Sequence, residues 1–161
     1  MNWRGFDIYG TYYDLTHLRP FQMVVPVDGQ NVTLHVTFGH HCFTDEKGNA
    51  PLIYPKEGRY WSQERYDCTH TLPNLIRTRF PVSYAIPYTK GKNKEQYHYM
   101  ESNNYAIFFD INRPENTTNE LKLKIVSAYE LAQWGRETVP KGKPKKISWI
   151  LSQRVKGLSA L

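Results

Sequence analysis

The sequence has few cysteines and no long apolar run. Only Cys42 and Cys68 occur among its 161 residues, which favours a cytoplasmic protein with free or metal-bound thiols over a disulfide-stabilised secreted domain. No stretch approaches the roughly 20 apolar residues that cross a bilayer. The first seven residues also lack a cationic start followed by an apolar block. We therefore expect neither a membrane segment nor a signal peptide.

Several catalytic motifs are also absent. The chain contains no glycine-rich phosphate loop, no Gly-x-Ser-x-Gly elbow and no His-Glu-x-x-His sequence. These absences argue against P-loop nucleotide hydrolysis, α/β-hydrolase chemistry and the zincin type of metalloprotease. Chemistry based on histidine remains open.

The composition is that of a folded chain with a cationic end. Apolar residues make up 40% and aromatic residues 14% of the sequence, which is typical of a globular domain with a substantial core. The formal net charge is +6. Residues 134–161 hold seven basic residues and one acidic residue, whereas the remainder is balanced. This asymmetry favours an anionic partner, with nucleic acid first and an acidic protein second. The alternative is that the basic tail only increases the solubility of the chain.

The apolar pattern predicts an α+β fold, with an antiparallel β-sheet meander, a packed helix, an N-terminal β-hairpin and a short C-terminal helix. A hairpin is predicted over 21–38, where Asp28 and Gly29 begin the turn. A helix is predicted over 62–80, capped by Ser62 and broken or restarted by Pro73. The meander strands are predicted at 82–87, 96–102, 104–112 and 120–129.

The domain organisation follows from the same pattern. We predict one domain over 1–133 and a basic C-terminal extension over 134–161, with a helix near 147–158. Residues 44–60 are rich in glycine, proline and charge and are predicted to form a loop. In the last meander strand, Ser127 falls in phase with the apolar face, which predicts a buried hydroxyl or an edge position.

The most informative stretch is Thr37-Phe38-Gly39-His40-His41-Cys42-Phe43-Thr44-Asp45-Glu46, which directly follows a predicted strand. Histidine titrates near neutral pH, so paired histidines at the end of a strand indicate acid–base catalysis or metal binding. The metal hypothesis adds a second pair of ligands, because thiolate and imidazole are preferred by zinc. Its ligand set would be His40, Cys42, Cys68 and His70.

The nucleolytic hypothesis needs no metal. Cleavage of RNA by transesterification requires a base for the 2′-hydroxyl, an acid for the leaving oxygen and a cation at the phosphate. We expect His41 as base or acid, His17 as its counterpart and Arg65 as the phosphate clamp, with Ser127 and Tyr129 in support. Five lysines are expected to bind the nucleic-acid backbone: Lys122, Lys124, Lys143, Lys145 and Lys146.

Several phrases together resemble a small proteobacterial, often prophage-borne, protein family of poorly described function. They are Tyr13-Asp14-Leu15-Thr16-His17-Leu18, residues 36–44, Glu64-Arg65-Tyr66 and Tyr105-Ala106-Ile107-Phe108-Phe109-Asp110, with 123–129. This resemblance covers about residues 10–131. The paired strands that close on Ser127-Ala128-Tyr129 also resemble the barnase, EndoU, colicin and RelE-like toxin ribonucleases. That resemblance implies metal-independent cleavage of RNA by His, Arg or Lys, and Ser or Thr on a sheet.

The leading hypothesis is therefore a cytoplasmic, prophage-type endoribonuclease, a candidate toxin, that uses no cofactor. RNA is the expected partner, with a cognate antitoxin or a host protein as a further one and no membrane. The alternatives are a non-catalytic module that binds nucleic acid or protein, and a domain stabilised by zinc.

Overall fold

The structure, a computed structural model, describes residues 3–90, 95–131 and 139–160, and the side chains of these residues except 88–90 and 95–96. Its main element is a seven-stranded sheet with the order β12-β8-β9-β10-β11-β4-β3. The strands are β3 (Phe21–Val27), β4 (Gln30–Phe38), β8 (Tyr84–Lys90), β9 (Glu95–Ser102), β10 (Tyr105–Asn112), β11 (Glu120–Glu130) and β12 (Lys145–Lys146). The predicted α+β class is confirmed.

Two tight hairpins and one non-local pairing define the sheet. Asp28 and Gly29 both have positive φ, which gives the two-residue turn that joins twisted strands, and β3 then pairs with β4 in register. Asn103 and Asn104 do the same between β9 and β10. Strand β11 closes the meander and runs parallel to β4, whereas the other neighbours are antiparallel.

A β-bulge in β11 changes which side chains face the core. Phe108 pairs with Ser127 and Phe109 pairs with Ile125, so Val126 is the extra residue. The prediction that Ser127 continues the apolar face is therefore wrong. The bulge moves Ala128 into the buried phase instead and leaves Ser127 half-buried on the other side.

The predicted helical segment forms two short helices, α1 (Gln63–Cys68) and α2 (Leu72–Thr78). The Ser62 side chain accepts a hydrogen bond from the Arg65 amide, which confirms its capping role. Pro73 lies in the first turn of α2, where its missing N–H costs little. The C-terminal helix α3 (Ile147–Val155) buries Ile147, Ile150 and Leu151 completely in the core.

The segment 44–60, predicted to be a loop, contains a small three-stranded sheet. Its strands are β5 (Thr44–Asp45), β6 (Leu52–Tyr54) and β7 (Arg59–Trp61), in the order β5-β7-β6. A further hairpin, β1 (Gly5–Ile8) with β2 (Thr11–Asp14), precedes the main sheet. Aromatic side chains that flank these elements pack edge to face, as in the contact of Trp3 with Phe43 at 5.3 Å between ring centroids.

The proposed boundary between 133 and 134 lies outside the described residues. Among the helices that are described, none has the length and apolar content of a membrane span.

Candidate active site at the His40–His41 corner

The corner begins where β4 leaves the sheet. The Gly39 amide donates to the Ile125 carbonyl at 2.8 Å, and a short 3-10 turn over His40–Cys42 follows. A Cβ at residue 39 would lie 3.2 Å from the Val126 carbonyl oxygen, at the bulge of β11. Glycine therefore allows the close approach that fixes the turn, and with it both imidazoles, at the end of the β4–β11 pair.

Three side chains converge at this corner, which we define as His40, His41 and Glu57. The His40 Nε2 lies 2.7 Å from a Glu57 carboxylate oxygen. The His40 ring stacks on Tyr54 at 4.1 Å and meets the His41 ring edge to face at 4.7 Å between centroids. The His40 Nδ1 is buried and has no hydrogen-bond partner among the described residues. The corner is thus well packed, with one unused imidazole nitrogen.

The environment keeps both imidazoles neutral at pH 7. Burial, followed by the nearby Arg59 guanidinium and the His40 ring, lowers the pKa of His41 to about 4. Burial also lowers the pKa of His40, although the Glu57 carboxylate opposes that shift. His41 is therefore available as a proton acceptor or as a neutral ligand over most of the physiological range.

Two arginines support the corner from beneath. Arg59 is 6% exposed and donates to the Thr44 carbonyl oxygen at 2.7 Å and to the Thr44 hydroxyl at 3.0 Å. Arg65 Nη1 donates to the carbonyl oxygens of His41 at 2.9 Å and Thr44 at 2.7 Å. Arg65 is therefore next to His41, as the sequence predicted, but its contact is with the backbone of that residue. Both cations still contribute a positive field.

Exposed lysines adjoin the corner on the outer face of the sheet. Lys122 lies opposite His35 and Lys124 lies opposite Thr37 in the parallel ladder, and both are exposed. The Lys124 Cε approaches within 3.8 Å of a Cβ built on Gly39, and this lysine also acts to lower the pKa of His40. Lys124 is thus the exposed cation that the structure brings to the corner.

Tyr129 and Ser127 lie beyond the bulge of β11. The Arg65 guanidinium lies over the Tyr129 ring at 4.7 Å from its centroid, and the same ring stacks on Phe108. Ser127 pairs with Phe108 across the ladder and is half-buried. Tyr129 therefore reaches the corner through Arg65.

His17 belongs to a different cluster. Its ring stacks on His70 at 4.3 Å, and its Nε2 lies 2.7 Å from the Thr69 hydroxyl. Since that hydroxyl donates its proton to the Tyr66 carbonyl, the His17 Nε2–H donates to the Thr69 hydroxyl oxygen. The contacts of His17 are thus with α1 and the residues after it, and the structure does not show it paired with His41.

The structure does not gather the four ligands of the sequence-based metal hypothesis. Cys42 is fully buried beside the Ile125 carbonyl, and burial raises the pKa of its thiol to about 12. Cys68 contacts Glu130 at the edge of a cleft of about 410 Å³, whereas His70 stacks on His17. Within the described part of the chain, one group of three or more metal-ligand side chains occurs, and it is His40, His41 and Glu57, whose ligand atoms lie within 4.8 Å of one another.

Glu57, which belongs to the corner, and Arg59, which supports it, were missed in the sequence. Both lie in the segment predicted to be a loop, where a Pro55–Glu57 3-10 turn ends at Gly58 in the left-handed conformation. The Pro-Lys-Glu-Gly sequence is a turn signal between two short segments that contain aromatic residues, so a hairpin here could have been predicted, although not its contact with the histidines.

Among the described contacts, none joins the predicted tail lysines to the corner. Lys143 is exposed, Lys146 pairs with Tyr84 across the sheet edge and Lys145 lies over the ring of Trp149.

Comparison with known proteins gives one family. A model of the YjaZ family matches residues 5–155, which is nearly the whole chain. The chain belongs to the YjaZ family. The match extends through α3, so it includes most of the C-terminal segment that the sequence resemblance left outside. No curated protein and no solved structure matches the chain. The family match states no chemistry. The chemistry of this chain is therefore inferred from the residues of the corner.

Proposed function

We propose that this YjaZ-family chain cleaves RNA at the His40–His41 corner by metal-independent transesterification. The observation that carries the proposal is a pair of touching imidazoles, one of them bonded to a carboxylate, in a positive field. Such a pair offers the two proton-transfer groups that the reaction needs, and the surrounding cations favour a phosphodiester.

The two histidines have different roles in this proposal. His41 is the base, because its low pKa leaves it unprotonated at neutral pH. His40 is its counterpart in place of His17, since it touches His41. It is neutral at pH 7 in the free chain, and the Glu57 carboxylate together with a bound phosphodiester would raise its pKa, so that it carries the proton that an acid donates. A bound phosphodiester would bring a negative charge beside His41 and raise its pKa toward neutrality, which strengthens it as a base.

The supporting residues also take altered roles. Arg65 and Arg59 act as positioning residues, because their guanidinium groups hold the carbonyl oxygens that shape the turn. Lys124 replaces Arg65 as the group that contacts the phosphate, with Lys122 one pleat further along the same strand face. Tyr129 holds the Arg65 guanidinium from the other side.

The wider biological setting is part of the proposal. A cytoplasmic location, a prophage origin, a toxin role and a cognate antitoxin or host-protein partner all follow from the ribonuclease hypothesis. The measurable consequence is a neighbouring small gene whose loss is lethal only while this chain is intact.

The test compares cleavage of a bulk tRNA mixture in EDTA by wild type, His41→Ala and His40→Ala. Removal of a general acid or base lowers the rate by about 10²- to 10⁴-fold. His35→Ala is the matched control, because His35 also pairs with a carboxylate, that of Glu120, at 2.9 Å. Equal cleavage by wild type and His41→Ala, or no cleavage by either, would overturn the proposal.

A second candidate is a metal centre at the same corner, favoured by the convergence of His40, His41 and Glu57. Two imidazoles and one carboxylate form a donor set that suits zinc and other divalent transition metals. An ion bound between His40 and Glu57 would replace their hydrogen bond.

Elemental analysis of the purified chain separates the two candidates. Near-stoichiometric zinc that is lost in His40→Ala and kept in His35→Ala would support the metal centre. Tight zinc binding with cleavage abolished by EDTA would favour it over the metal-independent reaction. Unchanged metal content in His40→Ala would remove it.

A further inference from the structure

A cleft lies between the end of β10 and the end of α3. Its volume is about 390 Å³, within the range of about 300–1,000 Å³ that is typical of sites for small molecules. Ile111, Asn112 and Arg113 line it on the strand side, and Arg154 lines it on the helix side together with residues 157–159. Two arginines from distant parts of the chain therefore share one cleft.

The Arg113 guanidinium is fixed in position at this cleft. Its Nη1 donates to the Val155 carbonyl oxygen, one of the acceptors left open at the end of α3, at 3.0 Å. The same guanidinium lies beside Gly157, where a Cβ would approach Nη2 to 3.1 Å and where φ is +75°. One of the five N–H donors of Arg113 is used in this way, and the others have no hydrogen-bond partner in the part of the chain that the structure describes.

Arg154 is the second cation of the cleft. It lies half-buried in the last turn of α3, where a positive charge complements the helix dipole. The dipole explains the charge but not the loss of hydration, because the Arg154 Nε is buried and has no hydrogen-bond partner among the described residues. The terminal nitrogens are the part of this guanidinium that remains accessible, at the cleft that the residue lines.

The positive charge of the cleft is not compensated by its lining. Among the described lining residues none is Asp or Glu, and neither arginine takes part in a described ion pair. Two carboxylates lie in the neighbourhood but do not line the cleft. Asp110 accepts from the Asn112 side chain at 2.9 Å, and Asp28 is bonded to Ser152, which lies on a different face of α3 from Arg154.

We propose that this cleft binds a phosphate dianion, as carried by a phosphomonoester. The planar N–H donors of two guanidinium groups match the oxygen atoms of a phosphate, and two positive charges match the two negative charges of a monoester. A phosphodiester linkage or a carboxylate brings a single charge and would leave one arginine uncompensated. Leu158, which is 51% exposed and also lines the cleft, offers an apolar surface to the organic part of such a ligand. The proposal does not depend on the chemistry proposed for the His40–His41 corner.

The experiment titrates the isotope-labelled full chain with thymidine 5′-monophosphate at pH 7, where most of the monoester is a dianion. The amide resonances of Arg113 and Gly157 report on the cleft, and that of Gly39 reports on the corner, so binding at the two places is distinguished. Thymidylyl-(3′→5′)-thymidine supplies a phosphodiester without a 2′-hydroxyl. Inorganic phosphate supplies the dianion without an organic part.

Arg113→Gln and Arg154→Gln each remove one guanidinium from the cleft. Lys156→Gln is the matched control, because it removes the same charge from the same region but Lys156 does not line the cleft. We expect the affinity for the monophosphate to fall about tenfold or more in each arginine variant, since each loses charged hydrogen bonds to the ligand. In Lys156→Gln it should change less than about twofold, because an exposed charge contributes little. Arg113→Lys keeps the charge without the planar donors and should fall between these values.

Thermal unfolding of each variant distinguishes lost binding from lost folding. Tighter binding of the monophosphate than of inorganic phosphate would assign the site to an organic monoester, and equal binding would assign it to free phosphate; both results support a site for the dianion. Unshifted Arg113 and Gly157 amides, equal affinity in the glutamine variants of the two arginines, or equal binding of the phosphodiester would overturn the proposal. A failure of tRNA cleavage leaves this site standing, whereas shifts confined to the Gly39 amide remove it alone.

Discussion

His41 and His98 have the same depressed pKa but different surroundings, and the difference shows what such a shift means. In both, burial is the first cause and lowers the pKa to about 4. His41 then lies among groups with chemistry of their own, the His40 ring and two arginines. His98 is fully buried in the main sheet and stacks on Phe109 at 5.3 Å, and neither of its ring nitrogens has a hydrogen-bond partner in the part of the chain that the structure describes. A depressed pKa therefore marks a candidate site only where other functional groups converge.

The largest expected effect is on the rate of cleavage, and it distinguishes His41 from His98. His41→Asn should lower the rate of tRNA cleavage by at least about 100-fold, because it removes the proposed base. His98→Leu should leave the rate within about twofold, since His98 touches no residue of the corner. Initial rates measured in EDTA at pH 7 check both. A large loss in His98→Leu with an unchanged unfolding midpoint would contradict the comparison.

The next largest effect is a loss of stability when either arginine that supports the corner is replaced. Arg59→Met leaves the Thr44 hydroxyl and carbonyl without this donor, and Arg65→Met removes the donor to the His41 and Thr44 carbonyls. Each change should lower the free energy of unfolding by about 2–4 kcal/mol, since hydrogen bonds from charged groups contribute about 1.5–3 kcal/mol each. Urea denaturation at pH 7 measures it. Arg79→Met, an exposed arginine, is the control and should change stability little.

The third prediction concerns the stability of the chain as a function of pH, which depends on His98. Its pKa is lower in the folded chain than in the unfolded chain, so the unfolded state binds more protons between pH 6.5 and pH 4 and stability falls as the pH falls through that window. His98→Leu removes this proton uptake and two unpartnered nitrogens. At pH 5 it should recover about 2 kcal/mol relative to wild type, beyond any change at pH 7. Parallel loss of stability in both chains would show that His98 is not the cause.

The smallest expected effect is a change in the pKa of His40 within the corner. Glu57→Gln removes the carboxylate that raises the pKa of His40, so the His40 pKa should fall further below its ordinary value. Because Glu57 is half-exposed, solvent screens the interaction and the fall of the His40 pKa should be small. Proton NMR titration of the imidazole resonances follows it. Glu120→Gln, beside His35, is the control and should leave the His40 titration unchanged.

The main sheet was predictable because its strands carry a periodic signal. Alternation in β4, the Asp28-Gly29 turn, the Ser62 cap and the interruption at Pro73 all act over a few residues, and each is confirmed. The strands of the small sheet are only two or three residues long and show no period to detect. The phase of Ser127 failed for a local reason, since a bulge is not visible in a pattern of apolar residues.

The candidate site was predictable only in part. His40 and His41 are adjacent in sequence, and their position after a strand identified the corner. Their partners depend on contacts between distant segments, which a sequence pattern does not contain. Glu57 reaches His40 through a hairpin, and His17 is held by Thr69, 52 residues away. The expected neighbour of His41, Arg65, is near it but binds its carbonyl oxygen.

The parallel pairing of β11 with β4 has a consequence for how the chain forms. Strand β4 can pair with β3 as soon as both have been synthesised, but its other edge waits for a partner about 85 residues later, as the separation of His35 and Glu120 shows. Until then a strand rich in Val and Leu presents unpaired amides and carbonyls to other nascent chains. Since closing so long a loop is slow, this late step should limit the folding rate, and the histidine corner cannot exist before it is complete.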